Sequence, residues 1–236
     1  MESLLLIRIS NTSLQQKQVY AAEIANLNIV EINIDKKFVR NNINTLVGTY
    51  IFTSSFYNWN LAEKDSIVTL FNDQTKNITR VKEIIADINI EKQLSVGSNF
   101  KDFKLANLKG DSISLSNLVG NTDFVLVDYW ASWCGSCIQS LPELKVLYAK
   151  YKGSRLEILG VSLDDNKKSW SNAIVSHQLS WKHISDLKGW KCAGSRAYAV
   201  NSIPCTILID KKGKIIGRNL QISEIENLIK AKVAKN

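Results

Sequence analysis

Two cysteines, Cys134 and Cys137, close the run Phe124-Val125-Leu126-Val127-Asp128-Tyr129-Trp130-Ala131-Ser132-Trp133-Cys134-Gly135-Ser136-Cys137. The run begins apolar and β-branched, as a strand does, and then crosses a short polar turn. In the segment that follows, Ile138, Leu141, Leu144, Leu147, Tyr148 and Tyr151 recur at three- and four-residue steps, the period of a helix. Cys134 is therefore expected at a helix N-terminus, where unpaired backbone N–H groups and the helix dipole favour a negative sulfur. Cysteines so placed have pKa values of roughly 3.5–7.5, against about 8.5 for a free thiol. That suits thiol–disulfide exchange, in which a thiolate attacks and a nearby second thiol resolves the mixed disulfide. Other uses of a cysteine pair fit less well. Structural zinc usually takes two such pairs, or a pair with spaced histidines, whereas Cys192, Cys205, His177 and His183 are scattered. Covalent haem attachment wants a histidine after the second cysteine, and that position is Ile138. No metal and no other cofactor is expected.

Asp128 interrupts the otherwise apolar strand. Alternation puts Leu126, Asp128 and Trp130 on one face, so this carboxyl faces structure and not water. An unpaired buried carboxylate is costly. Its pKa should rise toward neutrality, where it can pass protons to and from Cys137.

Val127-Asp128-Tyr129-Trp130-Ala131-Ser132-Trp133-Cys134-Gly135-Ser136-Cys137 is similar to the active-site segment of thioredoxin-like proteins. It resembles in particular the TlpA/ResA-type thiol–disulfide oxidoreductases that carry an extra N-terminal domain in Bacteroides-like bacteria. Asn201-Ser202-Ile203-Pro204-Cys205-Thr206-Ile207-Leu208-Ile209-Asp210 looks like that family's cis-proline loop and following strand, and Gly189-Trp190 and Lys212-Gly213-Lys214-Ile215-Ile216 fit as well. The resemblance covers residues 95–236. It implies that Cys134 is the exposed nucleophile, Cys137 the shielded resolving thiol and Asp128 the buried carboxyl. It also implies that Ile203 and a cis Pro204 offer backbone to an incoming peptide beside Trp133. The implied partners are a protein or peptide disulfide and an upstream thiol electron donor. Departures are Ser136 in place of the common proline, Ile138 in place of a basic residue, and Ser140 where some relatives have glutamate. Two rival functions are a peroxiredoxin-like peroxidase and a non-catalytic thioredoxin-scaffold binding module. The first wants a Pro/Thr-containing segment before its cysteine, which Ser132-Trp133-Cys134 lacks.

The elements that must hold these residues fit a chain of 236 residues, long enough for one large or two ordinary domains. The expected fold class is α/β: a thioredoxin-like fold, with a mixed sheet flanked by helices, over 95–236. A smaller α+β domain of unassigned role is expected over 1–94. Its strands are expected at Leu4–Ile9 and Asn28–Asp35, the latter from the alternation of Val30, Ile32 and Ile34 with polar residues. Helical periodicity is clearer at Ile78, Val81, Ile85 and Ile88, and the aromatic cluster Tyr50, Phe52, Phe56, Tyr57, Trp59 is expected to be core or interface. In the second domain a hairpin turns at Lys109-Gly110-Asp111. After the cysteine-bearing helix come strand 155–163, helix 167–179, a short segment 182–184, helix 190–199, strands 205–210 and 214–219, and helix 222–234. Cys192 and Cys205 are expected to be free, buried thiols.

Lys and Arg number 30 against 22 Asp and Glu, giving a net charge of +8. The basic residues are dispersed and not interleaved with aromatics, so a nucleic-acid partner is not expected. No stretch approaches the about 20 apolar residues that span a bilayer. The resemblance implies a cell-envelope or periplasmic location, with an export signal absent from this chain.

Overall fold

The structure, a computed structural model, describes residues 14–233. The chain divides into two compact units, Met1–Ile85 and Ala86–Asn236.

In the first unit α1 (Leu14–Asn41) is followed by α2 (Leu46–Ser55), a 3₁₀ turn (Phe56–Asn58), α3 (Leu61–Thr69) and α4 (Asp73–Lys76). The next helix, α5 (Thr79–Gln93), carries the chain into the second unit. Side-chain caps start three of these helices. Thr45 Oγ1 accepts the Gly48 N–H at 3.0 Å, and Asn72 Oδ1 accepts that of Thr75 at 2.8 Å. At α3, Asn60 and Glu63 cap each other's backbone reciprocally. Phe52, Phe56, Trp59 and Phe71 form the core here, with Phe52 edge-on to Trp59 and Phe71, whereas Tyr50 and Tyr57 are exposed.

The strand expected at Asn28–Asp35 is corrected to helix. Leu4–Ile9 lies outside the described residues, and Asn28–Asp35 is interior to α1, so no strand precedes Lys104 among the described residues. The alternation at Val30, Ile32 and Ile34 coexists with a second pattern, Tyr20, Ile24, Leu27, Ile34 and Phe38, at helical spacing. No Gly or Pro interrupts residues 14–41. The modest helix penalty of β-branched residues, up to about 0.7 kcal/mol each, is then outweighed by continuous backbone hydrogen bonding along the segment.

In the second unit β1 (Lys104–Ala106) and β2 (Ser112–Ser114) pair as a hairpin. Gly110 turns it with φ +93°, and Asn107 Oδ1 accepts two of the turn's N–H groups. The main sheet follows: β3 (Phe124–Trp130), α6 (Gly135–Tyr151), β4 (Leu156–Ser162), α7 (Lys167–Ser176), β5 (Lys182–Ile184), a 3₁₀ turn (Gly189–Lys191), α8 (Ala193–Ala197), β6 (Cys205–Asp210), β7 (Ile215–Arg218) and α9 (Ile222–Val233). Its order is β5-β4-β3-β6-β7, parallel through β3, β4 and β5 and antiparallel at β6 and β7. Every residue of β3 is buried, which suits a central strand covered on both faces. Right-handed β–α–β connections put α6 and α7 on one face. There α9 packs against α6, tied by Lys150 Nζ to Glu226 at 2.6 Å. The other face meets α8 and the hairpin: Tyr129 donates to the Gly194 carbonyl, and a Cβ on Gly194 would sit 2.8 Å from the Phe103 ring.

The helix expected over 190–199 is instead a 3₁₀ turn and a short α-helix, broken at Cys192, whose ψ of 128° is not helical. Cys192 and Cys205 are buried and are not joined in a disulfide. Pro142 lies inside α6, which runs unbroken through it.

Candidate active site

The parallel strands β3 and β4 deliver their C-terminal ends, and β6 its N-terminal start, to one edge of the sheet. Register fixes this: Tyr129, next to the end of β3, pairs with Cys205, the first residue of β6. The chain leaves β3 through Ala131-Ser132-Trp133 and starts α6 at Gly135, with Cys134 as its N-cap. Cys134 and Cys137 are joined by a disulfide, their Cα atoms 5.2 Å apart. Cys134 Sγ accepts the Cys137 N–H at 3.2 Å, and Ser136 Oγ lies 3.5 Å from the same sulfur. An orphan donor of the helix start is thus turned on the sulfur. Cys134 is 6% exposed and Cys137 1%.

The loop opposite begins at the Ile203–Pro204 peptide, which is cis. Pro204 is exposed and Ile203 half-buried, immediately before the β6 residue that pairs with Tyr129. Trp133 is 55% exposed. The structure thus brings Trp133, Cys134, Cys137, Ile203 and Pro204 to one edge of the sheet.

Asp128 sits one layer below. It is buried, and burial pushes its carboxyl up from 3.8 to about 7. Across the sheet it is flanked by Gly160 and Thr206, and Gly160 is flanked in turn by His183. The face is the one α6 covers, because Trp181, which stacks beside His183, meets Tyr148 of α6 edge-on. Asp128 therefore lies beneath the helix that carries Cys137.

Two supporting residues were not singled out from sequence. The buried Asp164 carboxylate, just past β4, accepts the Ser132 N–H and hydroxyl and the Ser162 hydroxyl, and so pins the turn ahead of Cys134. A serine in that turn with an acid past the next strand was the available signal. His183 is the second. It is buried, and both ring nitrogens lack hydrogen-bond partners. Its ring leans over Gly160, where a Cβ would come within 2.4 Å of Nδ1 and 3.1 Å of Trp130 Nε1. Only glycine leaves room there, which sequence spacing does not announce.

Burial lowers the His183 pKa from 6.5 to about 3, so the folded protein refuses a proton that the unfolded chain accepts. Its contribution to stability is present above the unfolded pKa and falls away as pH drops below it. His183→Phe should abolish that loss. The expected difference, about 2 kcal/mol less destabilisation between pH 7 and about pH 5, is read by urea unfolding of both proteins. An identical pH dependence in the two would mean that His183 charges freely in the fold.

Among the described residues no group of three or more His, Cys, Asp or Glu is placed to hold a metal ion, and no helix is long and apolar enough to cross a membrane.

Residues 96–218 match the AhpC/TSA family. The chain is 30% identical over 126 residues to the thiol-disulfide oxidoreductase ResA of a Bacillus cereus strain, covering 53% of this chain and 70% of that protein. To ResA of Geobacillus kaustophilus it is 33% identical over 122 residues, covering 52% and 67%. Among solved structures, a thiol-disulfide oxidoreductase from Bacteroides fragilis matches with a TM-score of 0.51 at 32% identity, covering 56% of this chain and 99% of that one. The thioredoxin domain of a thiol-disulfide oxidoreductase from Bacteroides vulgatus matches with a TM-score of 0.52 at 29% identity, covering 58% and 99%. The mixed sheet, the strand–CxxC–helix junction and these relatives agree on a thioredoxin-like fold. The chain belongs to the AhpC/TSA family, and within it to the thioredoxin-like thiol–disulfide oxidoreductases of TlpA/ResA type.

Proposed function

We propose that this enzyme reduces disulfide bonds of protein or peptide substrates in the cell envelope, drawing electrons from an upstream thiol donor. Residues 95–236 are the catalytic domain in this reading, and residues 1–94 a separate domain whose role is unassigned. The Cys134 thiolate attacks one sulfur of the substrate disulfide. That S–S bond breaks, a mixed disulfide forms, and the departing substrate thiolate takes a proton. Asp128 then accepts the proton of the Cys137 thiol. The Cys137 thiolate attacks Cys134 Sγ and expels the second substrate thiolate, which is protonated in turn. Two electrons pass to the substrate, and the enzyme is left as its Cys134–Cys137 disulfide for the donor to reopen. Ile203 and Pro204 present backbone to the substrate strand, and Trp133 lies against it.

The observation that carries this reading is the pairing of the bonded cysteines at the α6 start with a buried carboxyl of pKa about 7 beneath that helix. A base titrating near 7 is matched to proton transfer at neutral pH. Insulin reduction tests it. With a thiol donor present, the protein should precipitate insulin B chain faster than the donor alone. No acceleration would leave the fold as a binding module without this chemistry.

A further inference from the structure

The chain has six tryptophans. Four of them, Trp59, Trp130, Trp170 and Trp181, are at most 6% exposed. The other two, Trp133 and Trp190, are 55% and 48% exposed, and they touch each other, with ring centroids 6.1 Å apart at 54°. One of the pair precedes Cys134 directly. Tryptophan left half in water costs apolar exposure, and tryptophan is among the residues most enriched where binding energy concentrates.

The backbone that carries Trp190 is fixed by hydrogen bonds. Trp190 is the middle residue of the Gly189–Lys191 turn, closed by the Lys191 N–H on the Lys188 carbonyl and the Cys192 N–H on the Gly189 carbonyl. Gly189 enters that turn with φ +54°. The loop before it is tied to the sheet: Ser185 Oγ donates to the Ser162 carbonyl at 2.9 Å and accepts the Leu187 N–H at 3.0 Å. The Asp186 carboxylate accepts the N–H groups of Lys188 and Ala193, which ties both ends of the turn together. Lys188 and Lys191, on either side of Trp190, are exposed and have no ion-pair partner among the described residues.

Cys134 is only 6% exposed, so an incoming disulfide must lie against the residues around that sulfur to reach it. The ring beside it is Trp133, and the ring against Trp133 is Trp190. We infer that Trp133 and Trp190 together form a substrate-selecting surface that takes an aromatic or long aliphatic side chain next to the substrate cysteine. Lys188 and Lys191 favour an acidic residue beyond it. The preferred substrate is thus a polypeptide disulfide flanked by a large apolar and then an acidic residue. This inference rests on the disulfide-reductase reading and adds the substrate class to it. Aromatic stacking and apolar burial supply the selection, and the lysines supply a salt-sensitive part of it.

The test uses short disulfide-linked peptides that differ only beside the cysteine: Phe-Asp, Ser-Asp and Phe-Lys. The wild-type protein, with a thiol donor, is expected to prefer Phe-Asp over Ser-Asp by about tenfold in kcat/KM, the lower end of what one apolar contact provides. The preference over Phe-Lys should be smaller and shrink at high salt. In Trp190→Ala the Phe-to-Ser ratio should fall toward one, and in Trp190→Phe much of it should remain. Equal rates for all peptides by the wild type, or a ratio unchanged in Trp190→Ala, overturn the inference and leave the reductase reading standing. Failure to reduce any peptide, or a small aromatic disulfide reagent, overturns the reductase reading and this inference with it.

Discussion

With Cys137 replaced by serine, the protein is expected to accumulate a covalent complex with its disulfide substrate, and with Cys134 replaced it is expected to trap nothing. The two sulfurs sit in one helical turn, yet their surroundings differ. Cys134 is the N-cap, and its sulfur receives the Cys137 N–H. The same N–H favours a thiolate there once the disulfide is opened. Cys137 faces the sheet at 1% exposure and meets no large substrate directly. Without Cys137 the mixed disulfide on Cys134 has no resolving thiol. Without Cys134 no mixed disulfide forms, and turnover should fall by at least about 10³-fold, as when a nucleophile is removed from a working unit. Non-reducing gels and intact mass after mixing with insulin read both results. Equal trapping by the two variants would overturn the division of labour.

Asp128→Asn should stabilise the protein above neutral pH and slow its chemistry. The folded carboxyl titrates near 7, against 3.8 as its ordinary value, through burial. Below about pH 4 both folded and unfolded chains are protonated, and the site adds no pH-dependent cost. As pH rises, the unfolded chain loses its proton first while the folded chain keeps it, so stability declines up to the folded pKa. The full penalty, about 4 kcal/mol from a raised pKa of this size, then applies above about pH 7. Asparagine keeps the shape and cannot ionise. Urea unfolding of the oxidised proteins should show little pH-dependent gain at about pH 4 and a gain approaching that figure at about pH 8. In stopped-flow reduction, release of the second substrate thiol should be slower in the variant near neutral pH. A stability difference independent of pH would place the Asp128 carboxyl in water.

Several elements of the thioredoxin-like region were legible because they differ sharply in period. Phe124–Trp130, Gly135–Tyr151, Lys182–Ile184 and Cys205–Asp210 stand where the apolar spacing and β-branched runs put them. The N-terminal half was less legible. Over Asn28–Asp35 a short alternation competed with a helical stripe extending on both sides, and so short a stretch in isolation does not reveal that its neighbours will continue a helix. The helix expected over 190–199 failed for a local reason, the extended ψ at Cys192.

By itself the sequence determined the candidate cysteine pair and its setting. A strand that ends in CxxC at a helix start needs only local periodicity to be recognised, because the helix dipole and the orphan N–H groups act within one turn. Alternation along one strand also turned Asp128 inward, since that rule is local too. What surrounds these residues was decided only in three dimensions. Asp164 comes to Ser132 because β4 runs parallel to β3 and ends beside it. His183 hangs over Gly160 because β5 adds a further parallel strand in register. Trp190 reaches Trp133 from far along the chain because both loops leave the same edge of the sheet. Such contacts depend on strand order and register, which are set by the burial of the whole sheet and not by any short stretch of sequence.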